Sequence, residues 1–188
     1  MIKNKKFIIS AISLALVLCF ALGATFAYLI SKPASVKNVF TVGNVDIELK
    51  EVTPLSNKMV ANETIASDPY VLVKKGSEES YVFIKIVKSN NFDDFLTFTV
   101  DTAWTQLKVD GKDVPGVYYY NTAYTEDKEL YILKDNKYTV KNITKTMADA
   151  LTEDTMPDVT YYAGAIQKSG FKTVEEAWAQ LGDLASAG

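Results

Sequence analysis

Tyr81-Val82-Phe83-Ile84-Lys85-Ile86-Val87 is the stretch that decides the fold. It is almost continuously apolar and rich in β-branched side chains, which predicts a central strand covered on both faces. The segments around it alternate instead. Residues 44–51 set Val45, Ile47 and Leu49 against Asp46, Glu48 and Lys50, one face buried and the other wet. Residues 70–73, 95–100, 104–109 and 117–120 read as further strands. Turn signals separate them at Lys75-Gly76-Ser77, at 90–94, at Asp110-Gly111 and at Pro115-Gly116. Residues 130–133 and 138–143 flank Lys134-Asp135-Asn136-Lys137 and predict a hairpin, and 159–167 is the last strand. The polar run 51–68 reads as a long loop.

Helical signals are few. Residues 146–151 suit one or two turns capped by Thr146. Thr173-Val174-Glu175-Glu176 has the form of a capping box, in which hydroxyl and carboxylate satisfy each other's orphan amides. Val174, Ala177, Trp178 and Leu181 then fall on one helix face, stopped by Gly182. About eight strands with a short terminal helix point to an all-β fold: an antiparallel two-sheet sandwich of the jelly-roll kind.

Composition removes most familiar chemistry. Histidine is absent, and the single cysteine, Cys19, lies in the leader described next. Imidazole-based triads, Cys–His nucleophiles and the zinc-protease motif are therefore excluded, since each needs a group titrating near neutral pH. No cofactor or metal is expected. Every basic residue is a lysine. Setting aside the three leader lysines leaves 17 of the 20 against 23 acidic residues, a net charge of −6. That balance offers no basic stripe for nucleic acid.

The first 27 residues have the grammar of a secretory signal: Lys3, Lys5 and Lys6, then an uncharged apolar stretch, then Gly23-Ala24-Thr25-Phe26-Ala27. The stretch is long enough to span a bilayer as an uncleaved signal helix. The small, weakly hydrophobic end favours cleavage between Ala27 and Tyr28, with the membrane touched only through an uncleaved leader. The organisation expected is a leader at 1–27, an N-terminal arm at 28–43 and a folded domain at 44–188.

Three segments carry a family resemblance. Ala27-Tyr28-Leu29 with Asn38-Val39-Phe40-Thr41-Val42-Gly43-Asn44-Val45-Asp46-Ile47 resembles the start of TasA- and camelysin-like proteins of Gram-positive bacteria. Ser80-Tyr81-Val82-Phe83-Ile84-Lys85-Ile86 is similar to their central strand. Ala163-Gly164-Ala165-Ile166-Gln167-Lys168-Ser169-Gly170-Phe171 with Glu175-Glu176-Ala177-Trp178 resembles their closing strand and helix. The chain departs from the family at Leu29-Ile30-Ser31, where Phe-Ser/Thr-Asp is usual, and at Lys74-Lys75-Gly76, where Asn-x-Gly is common. The resemblance implies a jelly-roll domain exported through a SipW-type signal peptidase. It also implies extracellular fibres of the biofilm matrix, in which the N-terminus of one subunit completes a sheet in the next.

The candidate site is accordingly the arm, with Tyr28, Leu29, Ile30, Val36, Val39, Phe40 and Val42 as its apolar plugs. An extended peptide gains main-chain hydrogen bonds along an open sheet edge and fills pockets with alternate side chains. The competing reading is an arm folded back on its own domain. The carboxylates of Asn91-Phe92-Asp93-Asp94, Glu78-Glu79, Glu126-Asp127 and Glu153-Asp154 follow no calcium-loop spacing and fix no catalytic pair, so they read as solvated turns. Tyr118-Tyr119-Tyr120, with Tyr124 and Tyr131, suggests a stacking surface or, more plainly, a strand with one packed face. Trp178 reads as core. The expectation is a secreted, non-enzymatic matrix or surface subunit whose partner is itself or a related fibre subunit. The alternatives are a non-polymerising accessory protein and a camelysin-like endopeptidase.

Overall fold

A strand that is apolar on both sides needs a layer on each, and the structure supplies both. The computed structural model describes residues 36–51, 59–122 and 127–187. Its strands, in chain order, are β1 (Val36–Val42), β2 (Ile47–Lys50), β3 (Thr64–Ala66), β4 (Tyr70–Val73), β5 (Ser80–Lys88), β6 (Leu96–Thr97), β7 (Thr105–Val109), β8 (Lys112–Thr122), β9 (Lys128–Tyr131), β10 (Lys137–Val140) and β11 (Val159–Gln167). The short helices are α1 (Phe92–Phe95), α2 (Lys145–Asp149), α3 (Val174–Ala179) and α4 (Gly182–Ser186). Among the described residues no helix is long and apolar enough to cross a membrane.

β5 lies in the middle of a five-stranded sheet ordered β1-β11-β5-β8-β7. Its inward residues Val82, Ile84 and Ile86 join Tyr161, Ala163 and Ala165 of β11 in the main core. Facing them are two three-stranded sheets, β2-β4-β9 and β3-β10-β6, which contribute Ile47, Leu49, Val71, Val73, Leu130, Tyr138 and Val140. The outward residues Tyr81 and Phe83, with Leu107, Val117 and Ile166, are roofed by Ala177, Trp178, Leu181 and Leu184 of the C-terminal helices. Trp178 stacks at 5.3 Å on Phe83. Lys85 fastens the roof, its Nζ donating to the carbonyls of Ala185 (2.8 Å) and Ala187.

The all-β reading holds, and several details differ from the sequence expectation. The proposed hairpin does not form: β9 and β10 join different sheets, because Lys134–Asn136 is a 3₁₀ turn that redirects the chain. The long loop contains β3, a three-residue strand paired with β10. The polar turn at 90–94 leads into α1, whose Phe92 and Phe95 are core residues. Strand 95–100 shrinks to β6 and a single bridge between Val100 and Leu133. Thr144, not Thr146, caps α2 through the Met147 amide. At α3 only half of the capping box closes. Thr173 accepts from the Glu176 amide, whereas the Glu176 carboxylate takes the amide of Lys172. Gly182 does not end the helical region; it opens α4.

A polar string crosses the main core. The Tyr138 and Tyr161 hydroxyls lie 2.6 Å apart, and the fully buried Ser67 donates to Glu51 at 2.7 Å. Burial pushes the Tyr138 phenol up to about 12, against the lowering pull of its hydrogen bonds to Tyr161 and Ser67. Burial also drives Tyr161 well above its ordinary range, and its Tyr138 neighbour adds to the rise. The Glu51 carboxyl is raised by burial.

Candidate functional site: the N-terminal strand and the sheet edges

The sheets present their edges unequally. β1 sits at the rim of the large sheet and runs parallel to β11, an exception in an otherwise antiparallel arrangement. The register is Val36 with Tyr161, then, after a slip, Val39 with Ala163, Phe40 with Gly164, Thr41 with Ala165 and Val42 with Ile166. Thus Val36, Val39, Phe40 and Val42 of the candidate arm are brought together along one edge of their own chain. Ala27, Tyr28, Leu29 and Ile30 lie outside the described residues, as do the leader and its cleavage point. β1 has no strand on its far side among the described residues, and Val42 is 48% exposed.

The link from β1 to the domain turns on one residue. Gly43 has φ +90°, and a Cβ there would stand 2.7 Å from the Cβ of Gln167. Only glycine meets both demands without strain. Around this pivot Gln167 donates to Glu78, and Lys168 pairs with Glu79 at 2.7 Å. Beside it Thr41, Val42 and residues 180–184 line a shallow depression of about 470 Å³.

A second opening lies at the other end of the same sheet. Gly116 has φ +71°, and β8 leaves β5 there, since Lys85 opposite Val117 is their last pair. Between Gln106 opposite Tyr118 and Lys108 opposite Asp113, the strand bulges away from β7. The Gln106 side-chain amide fills that bulge, donating to the carbonyls of Val114 (2.7 Å) and Val117 (2.8 Å). The result is a groove of about 690 Å³ between the end of β5 and the 98–100 segment, with Pro115, Gly116 and Tyr118 at its side.

The remaining sequence candidates disperse. Asp93 pairs with Lys88 at 2.9 Å, and Asp127 accepts from the Lys75 amide at 2.7 Å. Glu126 and Tyr124 lie outside the described residues, and Asp154 is exposed. Among the described residues no three of the acidic, histidine or cysteine side chains converge as a metal site. The tyrosine run divides between faces: Tyr118 and Tyr120 pack on the main core, Tyr119 on the outer one. Tyr131 is partly exposed, donating to Glu129 and resting 5.3 Å from Tyr70. Sequence reasoning missed the groove altogether. Its one signal, Pro115-Gly116 inside a strand-like run, reads as a turn when the bulge-filling partner Gln106 is not in view.

Comparison of the chain with family models found no match, and comparison with curated proteins and with solved structures found no significant one.

Proposed function

We propose that the protein is a secreted structural subunit of an extracellular fibre, a TasA- and camelysin-like jelly-roll domain that polymerises through its N-terminal arm. The observation that carries this is the position of β1. It joins the large sheet through one parallel ladder, lies beside β2, turns into the domain at a glycine and has no strand on its far side among the described residues. An element attached in this way can be exchanged between copies with little loss inside the sandwich, because a swapped segment reproduces the contacts it leaves. The leader-like N-terminus, the resemblance of both chain ends and the absence of histidine support the same non-enzymatic reading.

The cis pairing of β1 favours one second reading. A chain that fills its own β11 edge suits an accessory protein that decorates a fibre made by a relative.

Both are tested by expressing the chain with its leader in a Gram-positive host, sequencing the N-terminus of the released protein and imaging it by negative stain. Filaments that begin at Tyr28 and vanish on deletion of 29–42 are expected. Monomers in both samples would leave the accessory reading, and filaments that survive the deletion would refute the arm as the joint.

A further inference from the structure

The two small sheets are separate, and the chain crosses between them twice. It passes from β3 to β4 through Ser67, Asp68 and Pro69, and from β9 to β10 through residues 132–136. The crossings are tied to each other. Ser67 donates its amide to the Asn136 carbonyl (2.9 Å), and Ile132 donates its own to that of Pro69 (2.9 Å). The polar string of the main core sits on this seam. Glu51 follows β2 in one small sheet and Ser67 follows β3 in the other, while Tyr138 belongs to β10 and Tyr161 to β11 of the large sheet. One line of hydrogen bonds thus joins all three sheets. Its direction follows from counting protons. A serine hydroxyl carries one, and Ser67 gives it to Glu51, so Tyr138 donates to Ser67 and Tyr161 to Tyr138. The half-buried Glu51 carboxyl stands at the accepting end, and it is the member that titrates in the acid range.

We propose that this string is a proton-operated clasp: with a proton on Glu51 the seam closes and the three sheets are held as one, and without it the seam loosens. The device lies inside the domain, so it operates whether or not copies polymerise. Among the described residues no lysine pairs with Glu51. Lys50, beside it, turns to Glu48 at 2.5 Å, where Lys74 also lies at 3.0 Å. Lys137, next to Tyr138, is held by Asp135 at 3.3 Å, and Tyr70, opposite Lys50, rests on Tyr131. What faces Glu51 is Asp68, a like charge, and the two phenols, which ionise only in alkali. Burial raises the Glu51 carboxyl above its usual range and Asp68 adds to the rise, against the pull of the Ser67 hydrogen bond. A charge in so poorly solvated a site is relieved by taking a proton or by moving to water. Moving to water withdraws the acceptor of the Ser67 hydroxyl and leaves a fully buried polar group unmet. The fold therefore binds this proton more tightly than the unfolded chain does. The stability it confers is complete below the unfolded value and is lost as pH rises through the folded one. Acidification tightens the seam.

The test uses protein released from a host that expresses the full chain. Glu51→Gln keeps an oxygen for the Ser67 hydroxyl and removes the charge. Urea midpoints are measured from neutral pH down to the usual carboxylate range, and amide protection factors of Ser67 and Ile132 are followed beside those of β5. Glu51→Gln is expected to have the higher midpoint at neutral pH, and its lead over the parent should close as pH falls. Over the same range the seam amides of the parent should gain protection while those of β5 do not. Curves that stay parallel, or a variant weaker than the parent at neutral pH, would overturn the proposal. Should the variant fail to fold, the parent decides alone through an NMR titration of its side-chain carboxyls. Seam protection that rises with protonation of the Glu51 carboxyl, at a midpoint above the usual range, supports the clasp. Seam protection indifferent to that titration overturns it.

Discussion

β11 has two neighbours and treats them differently. On one side it pairs with β5 antiparallel, without interruption from Val159–Lys88 to Gln167–Ser80, and both faces of that pair are roofed by core. On the other side it pairs with β1 in parallel, with a slip between Val36 and Val39. The two edges share a strand and its small residues Ala163, Gly164 and Ala165. They differ in what stands behind the partner. β5 is backed by β8, by α3 and by the opposing sheets, whereas β1 has no further strand of its sheet beyond it among the described residues and lies near β2, to which Gly43 leads. The first edge is built into the core on both faces; the second is the one that the proposed assembly would use, and local opening there is what the predictions below probe.

The comparison breaks first if the β5 side tolerates truncation. Phe83 is fully buried between Trp178 and Tyr119, so Phe83→Ala should cost about 3–5 kcal/mol. A melting temperature unchanged by that substitution would remove the contrast.

The next effect is alkaline. Tyr138 ionises near 10 in the unfolded chain and at about 12 in the fold. Its stabilising contribution is therefore complete below pH 10 and is lost as pH rises from 10 towards 12. Two units correspond to about 2–3 kcal/mol. Urea midpoints measured across that window should fall, and Tyr138→Phe should flatten part of the decline. Midpoints that stay level in the parent protein would remove the buried phenol from the account of the core.

The smallest global effect, and the sharpest local one, is expected at the pivot. Gly43→Val puts a β-branched side chain at positive φ and against Gln167, a strain of about 1–3 kcal/mol. That strain can be relieved by lifting β1 alone. Amide exchange at 36–42 should rise to loop rates while 80–88 keeps its protection and the melting temperature moves little. Equal loss of protection at both sites would show a single cooperative unit.

Much of this fold was legible in the sequence, and the reason is periodicity. Residues 70–73, 81–87, 104–109 and 159–167 carry their burial pattern in their own side chains, and the structure places β4, β5, β7 and β11 there almost residue for residue. What stayed hidden depends on distant partners. Nothing local in Lys134-Asp135-Asn136-Lys137 reveals that β9 and β10 part to different sheets; that follows from where β4 and β3 offer their edges. β3 is too short to show a period. The plugs Val36, Val39, Phe40 and Val42 were readable as a strand, but its parallel direction and its choice of β11 were not. The groove depends on Gln106 reaching eight residues ahead to Val114, a pairing that no turn rule describes.

The Lys85 latch has a consequence for variation. Its ammonium grips carbonyl oxygens of the tail, and every amino acid supplies one. Identity at 185 and 187 can therefore drift without loosening the helical roof, provided the chain still reaches that far. Lys85 itself has no such freedom. Losing it would leave the tail held by Leu181 and Leu184 alone, without its polar tie.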